Sequence, residues 1–78
     1  MEELAEKQIR VKEQMIERLL LYRKAVGMTQ QELADAIGMS RSNVSRMTTP
    51  DYSPTIDMIV KVADGLGLDV DITFKTRN

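Results

Sequence analysis

Six residues near the middle of the chain, Arg41-Ser-Asn-Val-Ser-Arg46, hold the side chains best suited to chemistry. Spaced at 100° per residue on a helix, Val44 and Met47 share one side, while Arg41, Ser42, Ser45 and Arg46 occupy the opposite one and Asn43 its flank. Arginine offers a rigid donor fork that matches guanine O6 and N7, and serine can meet several base edges or phosphates. The chemistry of such a face is hydrogen bonding rather than bond breaking. Two arginines on an exposed helix also serve as ordinary solubilising charge, so the face acquires meaning only from the elements that position it.

Those elements are legible on either side. Thr29 and Glu32 stand three apart ahead of an apolar run, the reciprocal capping pattern that starts a helix. Leu33, Ala34 and Ile37 fall on one face of it. Gly38 ends it, since glycine takes the left-handed conformation at little steric cost. Ser40 caps the next helix. Two short helices broken by a turn with glycine make a helix-turn-helix, whose second helix can enter the DNA major groove.

The string T-Q-x-x-L-A-x-x-x-G-M-S-x-x-x-V-S from Thr29 to Ser45 resembles the phage-repressor-like helix-turn-helix family of the Cro/C1 or XRE type. A looser likeness runs from about Ile16 to Leu68. The resemblance implies a mainly α fold, a small lambda-repressor-like helical bundle of five helices that binds operator DNA, usually as a dimer. It also implies base-edge contacts at Arg41, Ser42 and Arg46 and phosphate contacts at Gln30 and Asn43. Ser45 shares the outward face, and by the same analogy Thr49, with Thr48 and Tyr52, donates to phosphates from the loop that follows. Related repressors commonly pair an arginine at the place of Arg23 with a glutamate where this chain has Thr48. Arg23 is therefore expected to find a phosphate or another carboxylate.

Composition sets the outer bounds. The 78 residues make one domain, near the lower end of what a single core stabilises unaided, and 42% hydrophobic content argues against disorder. With no cysteine and no histidine, disulfides, thiolate or imidazole metal sites and His-based catalysis are excluded. No cofactor is expected and no enzyme, since carboxylates such as Glu32 and Asp35 read as capping and surface charge. No apolar run approaches a membrane span and no signal peptide is evident, so a cytoplasmic location is the default expectation. The net charge of -1 and pI of about 5.3 run against the basic balance of many DNA-binding domains. Between Gly27 and Met47, Glu32 and Asp35 cancel Arg41 and Arg46, while Arg23 and Lys24 just ahead can add to the same face.

Residues 2–26 lack proline and glycine and favour one long helix, with Ile16, Leu19, Leu20 and Val26 as its apolar stripe. Residues 1–14 are read as a helical extension past the core. A further helix over 55–66, started by Ser53-Pro54 or Thr55, presents Ile56, Ile59, Val60, Ala63 and Leu66 and ends at Gly65 and Gly67. From Leu68 to Lys75 apolar and polar residues alternate, which predicts one C-terminal β-strand over 68–75 with Leu68, Val70, Ile72 and Phe74 on its buried face. No second strand is visible, and an unpaired edge recruits a partner. The economical solution is the same strand from a second copy, paired antiparallel across a homodimer. Centring on Ile72 sets Asp69 against Lys75, and centring on Thr73 sets Asp71 against Lys75; centring on Asp71 would oppose two carboxylates.

The function that follows is a sequence-specific, DNA-binding transcriptional regulator, a homodimeric repressor with double-stranded operator DNA as partner. A C-terminal strand of this kind resembles antitoxin-type, HipB-like members of the family, which implies a protein toxin as a further partner, although no toxin-binding motif is visible. The competing class is a protein-interaction module that uses the same fold without reading DNA, to which the acidic pI is suited.

Overall fold

Helix caps fix the order of the fold. A computed structural model, describing residues 2–77, contains α1 (Leu4–Ala25), α2 (Gln30–Ile37), α3 (Arg41–Arg46) and α4 (Ile56–Gly65). Helix α1 runs unbroken because nothing in it disfavours helix, and Arg23 and Lys24 in its last turn complement the negative end of the helix dipole. Gly27, at φ +76°, stops it: the amides of Gly27 and Met28 close back on the carbonyls of Lys24 and Arg23. Val26 consequently sits at the cap and is exposed, outside the apolar stripe where the sequence placed it.

Only the second half of α1 packs. Ile16 and Leu19 are buried and Leu20 lies against the core, whereas Leu4, Ile9 and Val11 face solvent. Near its start, Arg10 Nε holds Glu2 at 2.9 Å, an exposed pair of small energetic weight. Lys12 Nζ donates to Ser53 Oγ at 2.9 Å and ties α1 to the loop between α3 and α4.

The core gathers Leu33, Ala34 and Ile37 of α2, Val44 and Met47 from α3 and its cap, and Ile59, Val62, Ala63 and Leu66 from α4 and its cap. Leu33, Val44 and Val62 are fully buried. Ile56 and Val60, read from the sequence as part of the α4 apolar face, are half exposed, and Val62 takes the central place instead. Gly65, the last residue of α4, lies where a side chain would meet Ile37 and Leu33, so the two helices approach closely there.

Gly67 ends α4 as Gly27 ends α1, with its own amide on the Asp64 carbonyl and that of Leu68 on the Ala63 carbonyl at 2.8 Å. Beyond it the predicted strand is not formed: among the described residues there is no β-strand and no fifth helix. The reason is physical. A strand is stabilised by ladder hydrogen bonds, and one chain supplies no second extended segment to complete them. The alternation leaves a partial trace, since Leu68 and Val70 are half-buried against the core while Ile72 and Phe74 are exposed. No helix among the described residues is long and apolar enough to cross a membrane.

Candidate nucleic-acid interface

The helix-turn-helix is built from local hydrogen bonds. Thr29 Oγ1 accepts from the Glu32 amide at 3.0 Å while Glu32 Oε1 accepts from the Thr29 amide at 2.9 Å, so the capping box is closed in both directions. The Thr29 amide also holds the Glu32 carboxyl below its ordinary pKa, by bonding its charged form. Gly38 turns the chain at φ +69°, ψ +34°. Ser40 Oγ then accepts from the Asn43 amide at 3.2 Å and starts α3.

Helix α3 has only six residues, too few to hold itself together in water. Val44, fully buried, and Met47, at 2% exposure, pin it to the core. The remaining five residues, Arg41, Ser42, Asn43, Ser45 and Arg46, are all exposed. Among the described residues none of their side chains is engaged in an ion pair or a side-chain hydrogen bond. The protein thus holds a rigid backbone segment with its donor groups unspent.

Arg41 links this face to the start of α2. It shares one shallow surface hollow with Ser42 and Ser45 and a second with Arg23, Thr29, Gln30 and Gln31. The structure therefore brings Gln30 and Arg41 together, with the positive end of α2 between them. Thr29 and Gln31 join that surface although the sequence reading did not select them. Their position beside the capping box was the available signal.

Arg23 is unusual. It is 8% exposed, and its Nη1 donates to the Met28 carbonyl at 2.7 Å, while Nε has no partner among the described residues. No carboxylate among the described residues pairs with it, so of the two partners expected from the sequence the carboxylate is not found there, and a backbone carbonyl takes its place. The Met28 amide in turn donates to the Arg23 carbonyl, which makes the contact reciprocal. Thr48 lines the same cavity of about 410 Å³ as Arg23, with Gln30, Thr49 and Tyr52 also on its wall. Burial raises the Tyr52 phenol above its ordinary pKa.

Thr49 is placed differently from the α3 residues. Its hydroxyl donates to the Arg46 carbonyl at 2.7 Å, and that of Thr48 donates to the Ser45 carbonyl at the same distance. Both protons go to carbonyls at the end of α3 that also accept the amide of the same threonine. To donate to a phosphate, either hydroxyl would have to give up that bond. Leu68, Val70, Ile72 and Phe74 lie elsewhere, all on one apolar hollow beside α1 and α4.

Comparison with known proteins places this geometry among relatives. The family described as Helix-turn-helix matches residues 19–72. The cryptic phage CTXphi transcriptional repressor RstR of Vibrio cholerae serotype O1 is 38% identical over 55 residues, 70% of this chain and 49% of that protein. An uncharacterized HTH-type transcriptional regulator of Methanothermobacter thermautotrophicus is 35% identical over 46 residues, 59% of this chain and 67% of that protein. The chain spans about half the length of the first relative and two thirds of the second. No solved structure matches it significantly.

Proposed function

The chain belongs to the helix-turn-helix family, and from that premise we propose that it is a sequence-specific DNA-binding transcriptional regulator acting as a repressor. One observation carries the reading: α3 presents Arg41, Ser42, Ser45 and Arg46 unengaged, on a backbone held by Val44 and Met47. Helix α3 enters the major groove, where Arg41, Ser42 and Arg46 read base edges. Gln30 at the start of α2 and Asn43 of α3 contact phosphates and set the register. Thr49 contributes by supporting the end of α3 more than by gripping a phosphate, given where its proton goes. The repressor name of the Vibrio relative supports repression, and the cytoplasm is where such a protein meets its operator.

The regulator works as a homodimer joined through residues 68–75, with two copies of α3 about 34–36 Å apart on successive turns of DNA. The apolar alternation of that segment and its unformed ladder support this. Residues 4–14, the first half of α1, extend beyond the DNA-binding unit, and Met1 of the expected 1–14 extension lies outside the described residues. A protein toxin as further partner rests on the likeness of the tail to antitoxin-type proteins alone, and no feature of the described residues favours it.

Fluorescence anisotropy with the DNA upstream of the protein's own gene, beside scrambled DNA at two salt concentrations, tests the proposal. Arg41→Ala and Arg46→Ala should each weaken specific binding by about 5- to 150-fold, the equivalent of one lost base contact, with the fold intact. Equal binding to both DNAs, or unchanged affinity in both variants, would instead favour an interaction module.

A further inference from the structure

Phe74 is the most exposed large apolar residue among the described residues, at 91%, and it stands at the edge of an apolar hollow of about 680 Å³ that it leaves open. The hollow runs between α1 and α4, with Val11, Met15, Ile56 and Ile59 on its walls and Leu68 and Val70 along its rim. From its far side the same four wall residues continue into a second apolar hollow that reaches Leu4. Resting on the dimer of the preceding section, we propose that the ring of Phe74 from a second copy of this chain fills this hollow, and the reverse.

Three observations select that occupant. Among the described residues no backbone hydrogen bond engages residues 69–75, so their donors and acceptors are open to another strand. On an extended segment, side chains two apart project to the same side, so Val70, Ile72 and Phe74 share the face that Val70 turns to the core. Antiparallel pairing about Ile72 then sets Val70 opposite the second copy's Phe74, whose ring enters over Met15 and Ile56. The outer face agrees, because the same register places Asp69 opposite the second copy's Lys75 twice over. Pairing about Thr73 would shift the ring outward to Ile72 and leave the hollow open.

The test uses the intact chain. In a sample mixed from isotope-labelled and unlabelled copies, intermolecular NOEs are expected from the Phe74 ring to the methyl groups of Met15 and Ile56. Phe74→Ala should raise the dimer dissociation constant on the order of a hundredfold or more, since two rings leave the interface, and Phe74→Leu should restore most of it. Because Phe74 is exposed within one copy, the helical circular dichroism of the diluted variant should not change. Ile72→Cys reports the strand pairing separately: the chain has no other cysteine, and a disulfide across the two-fold axis marks the dimer. Disulfide formation by the Ile72→Cys chain, together with a Phe74 ring that in the unsubstituted chain shows NOEs only to Ile72 or only within its own copy, overturns the proposal and leaves the strand dimer standing. A monomer at millimolar concentration overturns both.

Discussion

Alanine at position 65 measures how tightly α4 clamps the helix-turn-helix. A Cβ at Gly65 would overlap Ile37 Cγ2 and stand 3.4 Å from Leu33 Cδ1. Both neighbours are buried, and Ile37 is a β-branched residue in a helix, so its methyl cannot swing aside without leaving its preferred rotamer. The helices must separate instead, and overpacking of this kind costs about 1–3 kcal/mol. Alanine recovers up to about 1 kcal/mol of helix propensity over glycine, less here because residue 65 is the last of α4. The net expectation is a loss of about 1–2 kcal/mol. For a chain of this size that lowers the melting temperature by about 4–15 °C. Urea unfolding followed by circular dichroism gives the value. The cause is checked by a double-mutant cycle with Ile37→Leu, which moves the branch from Cβ to Cγ and removes the overlapping methyl. In that background Gly65→Ala should cost at least about 0.5 kcal/mol less. A Gly65→Ala protein as stable as the wild type, or the same loss in both backgrounds, would refute the close approach.

Gly38→Ala isolates a different effect, since a Cβ there meets nothing within 4 Å but the backbone is left-handed. It should cost about 1–2 kcal/mol by thermal unfolding, and Gly38→Asn less, because asparagine tolerates that region; equal costs would point to something other than backbone strain. Glu32 gives a pH dependence. Its pKa is depressed in the folded state, so its contribution is present above the unfolded-state value and is lost as pH falls through the lower folded value. Glu32→Gln keeps an acceptor for the Thr29 amide but cannot titrate. Its urea midpoint should therefore fall less steeply than the wild type's through the carboxylate range, and parallel curves would exclude Glu32 from acid sensitivity.

The parts of this fold that the sequence reveals are those decided within a few residues. Thr29, Gly38 and Ser40 act on their immediate neighbours, so their spacing alone locates α2, the turn and α3. Val44 and Met47 follow once α3 is placed, because a six-residue helix can bury only one side. Helix α4 is harder. Ile56, Ile59, Val60, Val62 and Ala63 spread apolar residues around much of its circumference, and which arc is buried depends on where α2 and α1 stand. Val62 wins that position and Val60 does not. Val26 fails for a local reason that outranks periodicity, the left-handed turn at Gly27. For Arg23 the missing carboxylate is visible in the sequence. The replacement partner is not, since the Met28 carbonyl comes within reach only when that turn folds back. For the C-terminal segment, alternation shows which side chains share a face, while a ladder requires a second strand that the described residues do not supply.

The proposed DNA-binding and dimer surfaces bear on one another through charge. With a net charge of -1, the chain has little general attraction for a polyanion, so its affinity must come from a few placed donors. The structure narrows these further. The protons of Thr48 and Thr49 serve helix carbonyls, and Arg23 is buried with Nη1 on Met28. What remains open on α3 is Arg41, Ser42, Asn43, Ser45 and Arg46, with Gln30 and the first amides of α2 beside them. A single six-residue helix with two guanidinium groups is a weak reader on its own. Joining two such readers makes the second engagement intramolecular, which raises affinity without any new contact and doubles the sequence that is read. An exposed phenylalanine on an unpaired tail would be a liability in a protein that worked alone. In the proposed dimer, the same tail is the element that makes the small reading surface sufficient.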